Sequence, residues 1–205
     1  AVKPHALERS EEEGGITTYR IGVQDRPGWT DVTWDDKVTE AFTEVLRALR
    51  PDVVHFHAMQ GLGAGCLEAC KALGIRFVVT LHDAWWLCER QFLVRENGRH
   101  CGQTRIDMNV CSTCVPDIGR TVLRNLRLRQ ALQHADCLLT PSQHWRRFAL
   151  ANGFAADRVI VNENGIALPA TPAPNRGPKR LRFGFVAGAE AVKGFPLIKQ
   201  TFESL

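Results

Sequence analysis

Residues 51–83 read PDVVHFHAMQGLGAGCLEACKALGIRFVVTLHD, and this stretch decides the fold. Val53-Val54-His55-Phe56-His57 is a short β-prone run just after Pro51. Gln60-Gly61-Leu62-Gly63-Ala64-Gly65 is a Gly-rich bend, leading into a helix through about Leu73 that Gly74 ends. Phe77-Val78-Val79-Thr80-Leu81 is a second strand. Strand, helix, strand with short connections predicts a βαβ unit and a parallel sheet. Both strands are near-continuous apolar runs, as expected where both faces are covered. His82 and Asp83 stand at the carboxyl end of the second strand, where open α/β sheets bind ligands.

Upstream, Trp34 to Leu49 has the spacing of an amphipathic helix. Asp35 or Asp36 caps it, Val38, Phe42, Val45, Leu46 and Leu49 share a face, and Pro51 stops it. Before it, Ser10 to Gly15 reads as a polar loop, Thr17 to Val23 as a short strand, and Arg26-Pro27-Gly28 as a turn. Downstream, Ile118 to His134 reads as a long helix. Val122, Leu123, Leu126, Leu132 and Ala135 are expected inside, with Arg120, Arg124, Arg127 and Arg129 on a basic outer side. Cys137 to Thr140 is a strand, Ser142 caps a helix through about Ala151, and Arg158 to Val161 is a strand running into the turn at Asn162-Glu163-Asn164-Gly165. Leu168 to Lys179 holds four prolines and one glycine and reads as a linker. Leu181 to Ala187 is expected to be a strand, and Phe195 to Leu205 the start of a helix.

The fold expected is α/β. A Rossmann-like parallel-sheet domain covers residues 1–170, incomplete at its start and carrying an insert at 88–114. A linker at 171–179 and the first βα unit of a second Rossmann-like domain at 180–205 follow. The chain begins without Met and stops in a helical pattern, so it reads as a fragment of a longer protein.

The chain has 205 residues, a net charge of +4 and 44% hydrophobic residues. No apolar run approaches the ~20 residues that span a bilayer. The charge is too small and too dispersed for nucleic acid as a partner. Seven cysteines, an odd number without a secretory signal, point to a reducing, cytoplasmic compartment.

Cys88, Cys101, Cys111 and Cys114 have the spacing C-x12-C-x9-C-x2-C. Two intervening residues let the last pair reach one ion, and four thiolates suit structural zinc or an iron–sulfur cluster. The plain alternative is four ordinary thiols in a loop. The loop is polar, and a loop of that length without its own core needs a staple. Four protein thiolates leave no open position, so no cofactor is expected for catalysis. Cys66, Cys70 and Cys137 fall on core faces.

His55 and His57 alternate along a strand and so share a face; they read equally as a site or as a strand-edge feature. His82-Asp83 is an acid–base pair or a polar strand end. Lys193-Gly194 at a helix opening has the general form of an anion site. The basic side from Arg120 to Arg129 is first a solvated face, with an anionic acceptor or peripheral contact at a membrane surface as the alternative.

Taken in order, these segments resemble family-4 glycosyltransferases. Pro51-Asp52-Val53-Val54-His55-Phe56-His57 is similar to that family's strand and HxH segment. Thr80-Leu81-His82-Asp83-Ala84-Trp85-Trp86-Leu87-Cys88 resembles its T-x-H-D-x-W-x-x-C form. Pro141-Ser142 and Val161-Asn162-Glu163-Asn164-Gly165-Ile166 are similar to its serine-led helix and N-G-I-D turn. Gly184-Phe185-Val186 through Lys193-Gly194-Phe195 resembles the opening of its donor domain. A cysteine-rich insert occurs in one branch.

The resemblance implies the GT-B architecture and metal-independent transfer of a sugar from a nucleotide diphosphate, with retention, to a glycan or lipid-linked acceptor. The implied location is the cytoplasm, or the inner face of the membrane. It also implies that His82 lies near the donor sugar as the catalytic residue. His55, His57, Asp83, Ser142, Asn164 and Gly165 would bind substrate, and Lys193 and Gly194 the donor diphosphate. Three departures stand out. Ala187-Gly188-Ala189 lacks the Arg expected before Lys193, Ala167 replaces an Asp, and the Gly-rich first βα unit and the donor domain's paired glutamates are missing. The fragment by itself is therefore expected to be inactive. The rival readings are a non-catalytic, zinc-stapled Rossmann-like binding module and an iron–sulfur redox protein.

Overall fold

The computed structural model describes residues 2–23, 33–167, 171 and 183–204. Two compact units divide the chain, Ala1–Asn164 and Gly165–Leu205.

In the first unit, β1 (Leu7–Glu12) and β2 (Ile16–Ile21) pair antiparallel, with Glu12 opposite Ile16. Ser10–Glu12 therefore belongs to a strand and not to the expected loop. Its side chains are nearly all polar, so it shows no alternating apolar signal. Cross-strand contacts hold it instead: Arg20 bonds Ser10 at 2.6 Å and Glu12 at 2.5 Å. Gly14 and Gly15, at φ +89° and +77°, make the left-handed turn that L side chains resist.

The second sheet holds β3 (Val53–Phe56), β4 (Arg76–Thr80), β5 (Cys137–Thr140) and β6 (Val159–Val161). All are parallel and lie in chain order. This is the expected Rossmann-like parallel sheet. Helices α1 (Asp36–Leu49), α2 (Gly65–Ala72), α4 (Ile118–Leu132) and α5 (Gln143–Ala151) connect or precede its strands, and a short α3 (Met108–Cys111) lies within the insert. Asp35, Asp117 and Ser142 cap α1, α4 and α5 by accepting backbone N–H groups, as such residues do. Gly65 opens α2 where a Cβ would come within 2.1 Å of Thr39 Oγ1, so α1 and α2 approach closely. Among the described residues no helix is long and apolar enough to cross a membrane.

Phe56, Phe77, Val79, Leu81, Leu138 and Val159 are buried between sheet and helices. Strand β3 departs from expectation. Among the described residues it is an edge strand, and Val53 and His55, which share a face, are exposed, so that face is not covered.

The face that α4 buries also differs from the reading of its sequence. Leu123 and Leu126 are exposed, while Thr121, Arg124, Asn125, Leu128 and Leu132 are buried. Arg124 is thus a core residue. Its Nη2 donates to the Trp85 carbonyl at 2.5 Å, and its guanidinium lies 4.7 Å from the Trp85 ring centre. A planar cation that can bond a carbonyl and cover an indole outcompetes leucine for that position.

The insert is less bare than its polarity implied. Leu93 is buried, and Ile106 and Cys101 pack against the core. Asn152, 4% exposed, ties the insert to the end of α5. Its amide donates to the Thr104 and Phe148 carbonyls at 2.9 and 2.8 Å and accepts from Ile106 N at 2.9 Å. Asn152→Ala would deprive the half-buried Ile106 N–H and the Thr104 carbonyl of this partner and should cost about 2 kcal/mol in denaturant unfolding. A change under about 0.5 kcal/mol would show that the staple is dispensable.

In the second unit, Ala191–Lys193 forms a 3₁₀ turn and α6 spans Phe195–Glu203. Phe183 to Ala187 carries no strand pairing, because a strand needs a neighbour for its backbone groups. Leu181 and Arg182, the turn expected at Arg26-Pro27-Gly28 and the linker apart from Thr171 lie outside the described residues.

Candidate functional site

Because every strand of the main sheet is parallel, all four carboxyl ends open on one edge. His57 follows β3, His82 follows β4, Ser142 follows β5 and Asn164 follows β6, in that order along the edge.

The histidines meet. Phe56 is in register with Val79, so the two strands end almost together. His57 Nδ1 and His82 Nε2 are 2.9 Å apart, with rings stacked at 5.2 Å. The His55 ring lies against His57, tilted, with centres 4.1 Å apart, and its Nε2 bonds Thr80 Oγ1 at 2.8 Å. One ring nitrogen of the His57–His82 bond donates and the other accepts. The bond survives a single protonation of the pair and fails when both rings are charged, since neither then offers a lone pair.

Burial, then the neighbouring His57 and His82 charges, hold His55 below the ordinary histidine value. NMR titration should therefore place its midpoint under ~6.5. The sign follows by linkage. The unfolded chain protonates His55 first, so its contribution to stability is present above ~6.5 and is lost as pH falls through the lowered value. A midpoint above ~6.5 would contradict this crowding.

Asp83 is structural as well as near the site. Its Oδ1 accepts from Trp85 N at 2.8 Å, and its Oδ2 from the Gln91 amide at 2.7 Å. Gln60, from the Gly-rich bend, reaches the same oxygen at 3.5 Å. Neither glutamine carried a signal in the sequence, because the loops that deliver them are irregular. Gln91 and Leu93 are non-glycine residues at φ +62° and +58°, a strained geometry that marks functional turns more often than ordinary ones.

Trp85 and Trp86 are buried core and not lining of the edge. Ser142 spends its hydroxyl as the α5 cap, accepting from Trp145 N at 3.3 Å. Asn164 and Gly165 are exposed, and Asn162 N donates to the Thr140 carbonyl at 2.9 Å where β6 ends. No turn forms over 162–165, which runs as irregular chain. In the second unit Lys193 is exposed at the end of its 3₁₀ turn, and Gly194, at φ +79°, leads into α6.

The four insert cysteines come together. Cys88, Cys101, Cys111 and Cys114 line one cavity. Burial raises the Cys88 and Cys111 thiols, and neighbouring cysteines of the same set raise them further. Cys66 and Cys70 lie elsewhere, on the buried side of α2, where burial pushes both thiols up to about 12 and keeps them protonated. Cys137 is only partly buried.

Comparison with known proteins adds the following. The model of the glycosyl transferase 4-like domain matches residues 1–165. No curated protein matches the chain. Among solved structures, a UDP-N-acetylglucosamine 2-epimerase from Rickettsia bellii aligns at 17% identity over 62% of this chain and 25% of its own, with a TM-score of 0.38. A second UDP-N-acetylglucosamine 2-epimerase aligns at 14% identity over 67% and 30%, with a TM-score of 0.39. A putative one from Listeria monocytogenes aligns at 14% over 68% and 29%, with a TM-score of 0.37. The chain thus spans between 25% and 30% of the solved chains it matches.

Proposed function

Since the chain belongs to the glycosyl transferase 4-like domain family, we propose that it forms the acceptor-side part of an enzyme that moves a sugar from a nucleotide diphosphate to a glycan or lipid-linked acceptor, with retention. The observation that carries this reading is the His57–His82 pair, 2.9 Å apart at the adjoining ends of β3 and β4.

His82 is the catalytic residue in this reading, and its ring faces the donor sugar. His57 holds it through their shared hydrogen bond, and His55 backs His57 by ring contact. Asp83 positions His82 by anchoring the turn that follows it. Ser142, Asn164 and Gly165 flank the acceptor side, and Lys193 with Gly194 meets the donor diphosphate, where charge builds on the leaving group. Such an enzyme works in the cytoplasm or at the inner face of the membrane.

The test is direct. Intact protein is offered nucleotide-diphosphate sugars with a glycan or lipid-linked acceptor, and the anomeric configuration of the product is read by NMR. Transfer with retention supports the proposal, and inversion overturns the retaining part.

A second reading has its own observation. The Ala187-Gly188-Ala189 loop lacks the Arg that the family resemblance implies, and the Glu190 carboxylate lies against Gly188 there. A non-catalytic binding module would tolerate that. Failure of the intact protein to bind any sugar nucleotide in calorimetry would favour the module.

A further inference from the structure

Three separately built turns bring four thiols to one cavity of about 20 Å³. Cys88 closes the helical turn begun at Ala84, its N–H donating to the Ala84 carbonyl at 2.7 Å. Cys101 follows a hairpin and donates to the Leu93 carbonyl at 2.7 Å. Cys111 ends α3, and Cys114 turns back onto its carbonyl at 2.8 Å.

Donor groups reach two of the sulfurs. The Arg90 and Leu93 backbone amides donate to the Cys88 sulfur. The Gln103 side-chain amide donates to the Cys111 sulfur at 3.7 Å. The left-handed Gln91 and Leu93 backbones belong to the short segment that curls around Cys88. Arg90 and Arg95 line the same cavity, as does Glu89, whose carboxylate is held by Arg120 and Thr121. All four cysteines are free of disulfides.

We propose that the thiolates of Cys88, Cys101, Cys111 and Cys114 bind one zinc ion as a structural clasp for the insert. As they stand, no three His, Cys, Asp or Glu side chains among the described residues form a group that could hold a metal. Ligation therefore requires the four side chains to turn inward from the walls of that cavity. Binding releases the thiol protons. Four thiolates close a tetrahedral site and leave no position for substrate.

The clasp stands independently of the sugar-transfer reading, and it also has a consequence for the histidine edge. The loop it closes carries Gln91, whose amide holds Asp83 beside His82 at 2.7 Å. Removing the ion should loosen that tether and the neighbouring Trp85-Trp86 turn.

The experiment measures metal content of the purified full chain by elemental mass spectrometry, then exchanges zinc for cobalt. The expected result is about one zinc per chain and the intense visible bands of tetrahedral cobalt thiolate. Chelation should shift tryptophan emission to the red. The double change Cys111→Ser with Cys114→Ser should lower zinc content at least about tenfold, while Cys137→Ser leaves it unchanged. The cobalt spectrum of the unmutated chain decides the matter if the double variant does not fold. Absence of both zinc and cobalt–thiolate bands overturns the proposal, as does a brown, iron-containing chain.

Discussion

Replacing His82 by alanine should lower the rate of sugar transfer about a thousandfold in protein that transfers sugar, with little change in the fold. The side chain is exposed and bonds only His57 among the contacts described above, so its loss removes chemistry and not core. A positioned imidazole that contacts the reacting sugar supplies roughly two to four powers of ten. Donor KM should move far less than kcat, because the interaction matters most as charge develops. His57→Ala should have a smaller effect, since it leaves His82 present but unheld. Stopped or continuous assay of nucleotide diphosphate release reads both. A loss under about threefold for His82→Ala would remove this residue from the reaction.

The second large effect falls on stability. Arg124→Ala should destabilise the first unit by about 3 kcal/mol, an order-of-magnitude figure built from three losses. One is a charge-assisted bond to the Trp85 carbonyl, worth about 1.5–3 kcal/mol. Another is the cation over the Trp85 ring, worth about 0.5–2 kcal/mol. The third is the cavity left by a long side chain that is only 4% exposed. Arg124→Lys should recover only part, since an ammonium cannot present a planar fork to both carbonyl and ring. Chemical denaturation followed by circular dichroism measures it. A value under about 1 kcal/mol would return Arg124 to the status of a solvated surface charge. The same contacts link α4 to the turn that follows His82, so the variant also tests whether that turn depends on α4.

The sheet's strands were legible because their information is local. Val53–Phe56, Arg76–Thr80, Cys137–Thr140 and Val159–Val161 are short apolar runs between helices with recognisable caps. The capping residues Asp35 and Ser142 sit beside the backbone groups they satisfy, and a cap needs no distant partner. Strand β1 was invisible for the opposite reason. Its polar side chains make sense only opposite Arg20, which pairing brings near.

The candidate site was half legible. His55, His57 and His82 stood out as residues at strand ends, and the four cysteines as a spacing. Gln91 and Asn152 were not readable, since their partners lie 8 and 46–48 residues away along irregular chain or across the fold.

By itself the sequence determined the parallel α/β order, the helix starts, and the placement of histidines at one sheet edge. Periodicity, capping and strand polarity are properties of neighbouring residues, and they carry that much. Tertiary structure alone decided that His57 and His82 touch, that α4 buries Arg124 in place of Leu123 and Leu126, and that the four thiols share a cavity. Those outcomes depend on which surfaces compete for the same space. A buried carbonyl and an indole face selected the arginine, and parallel register brought the two histidine rings within hydrogen-bonding distance.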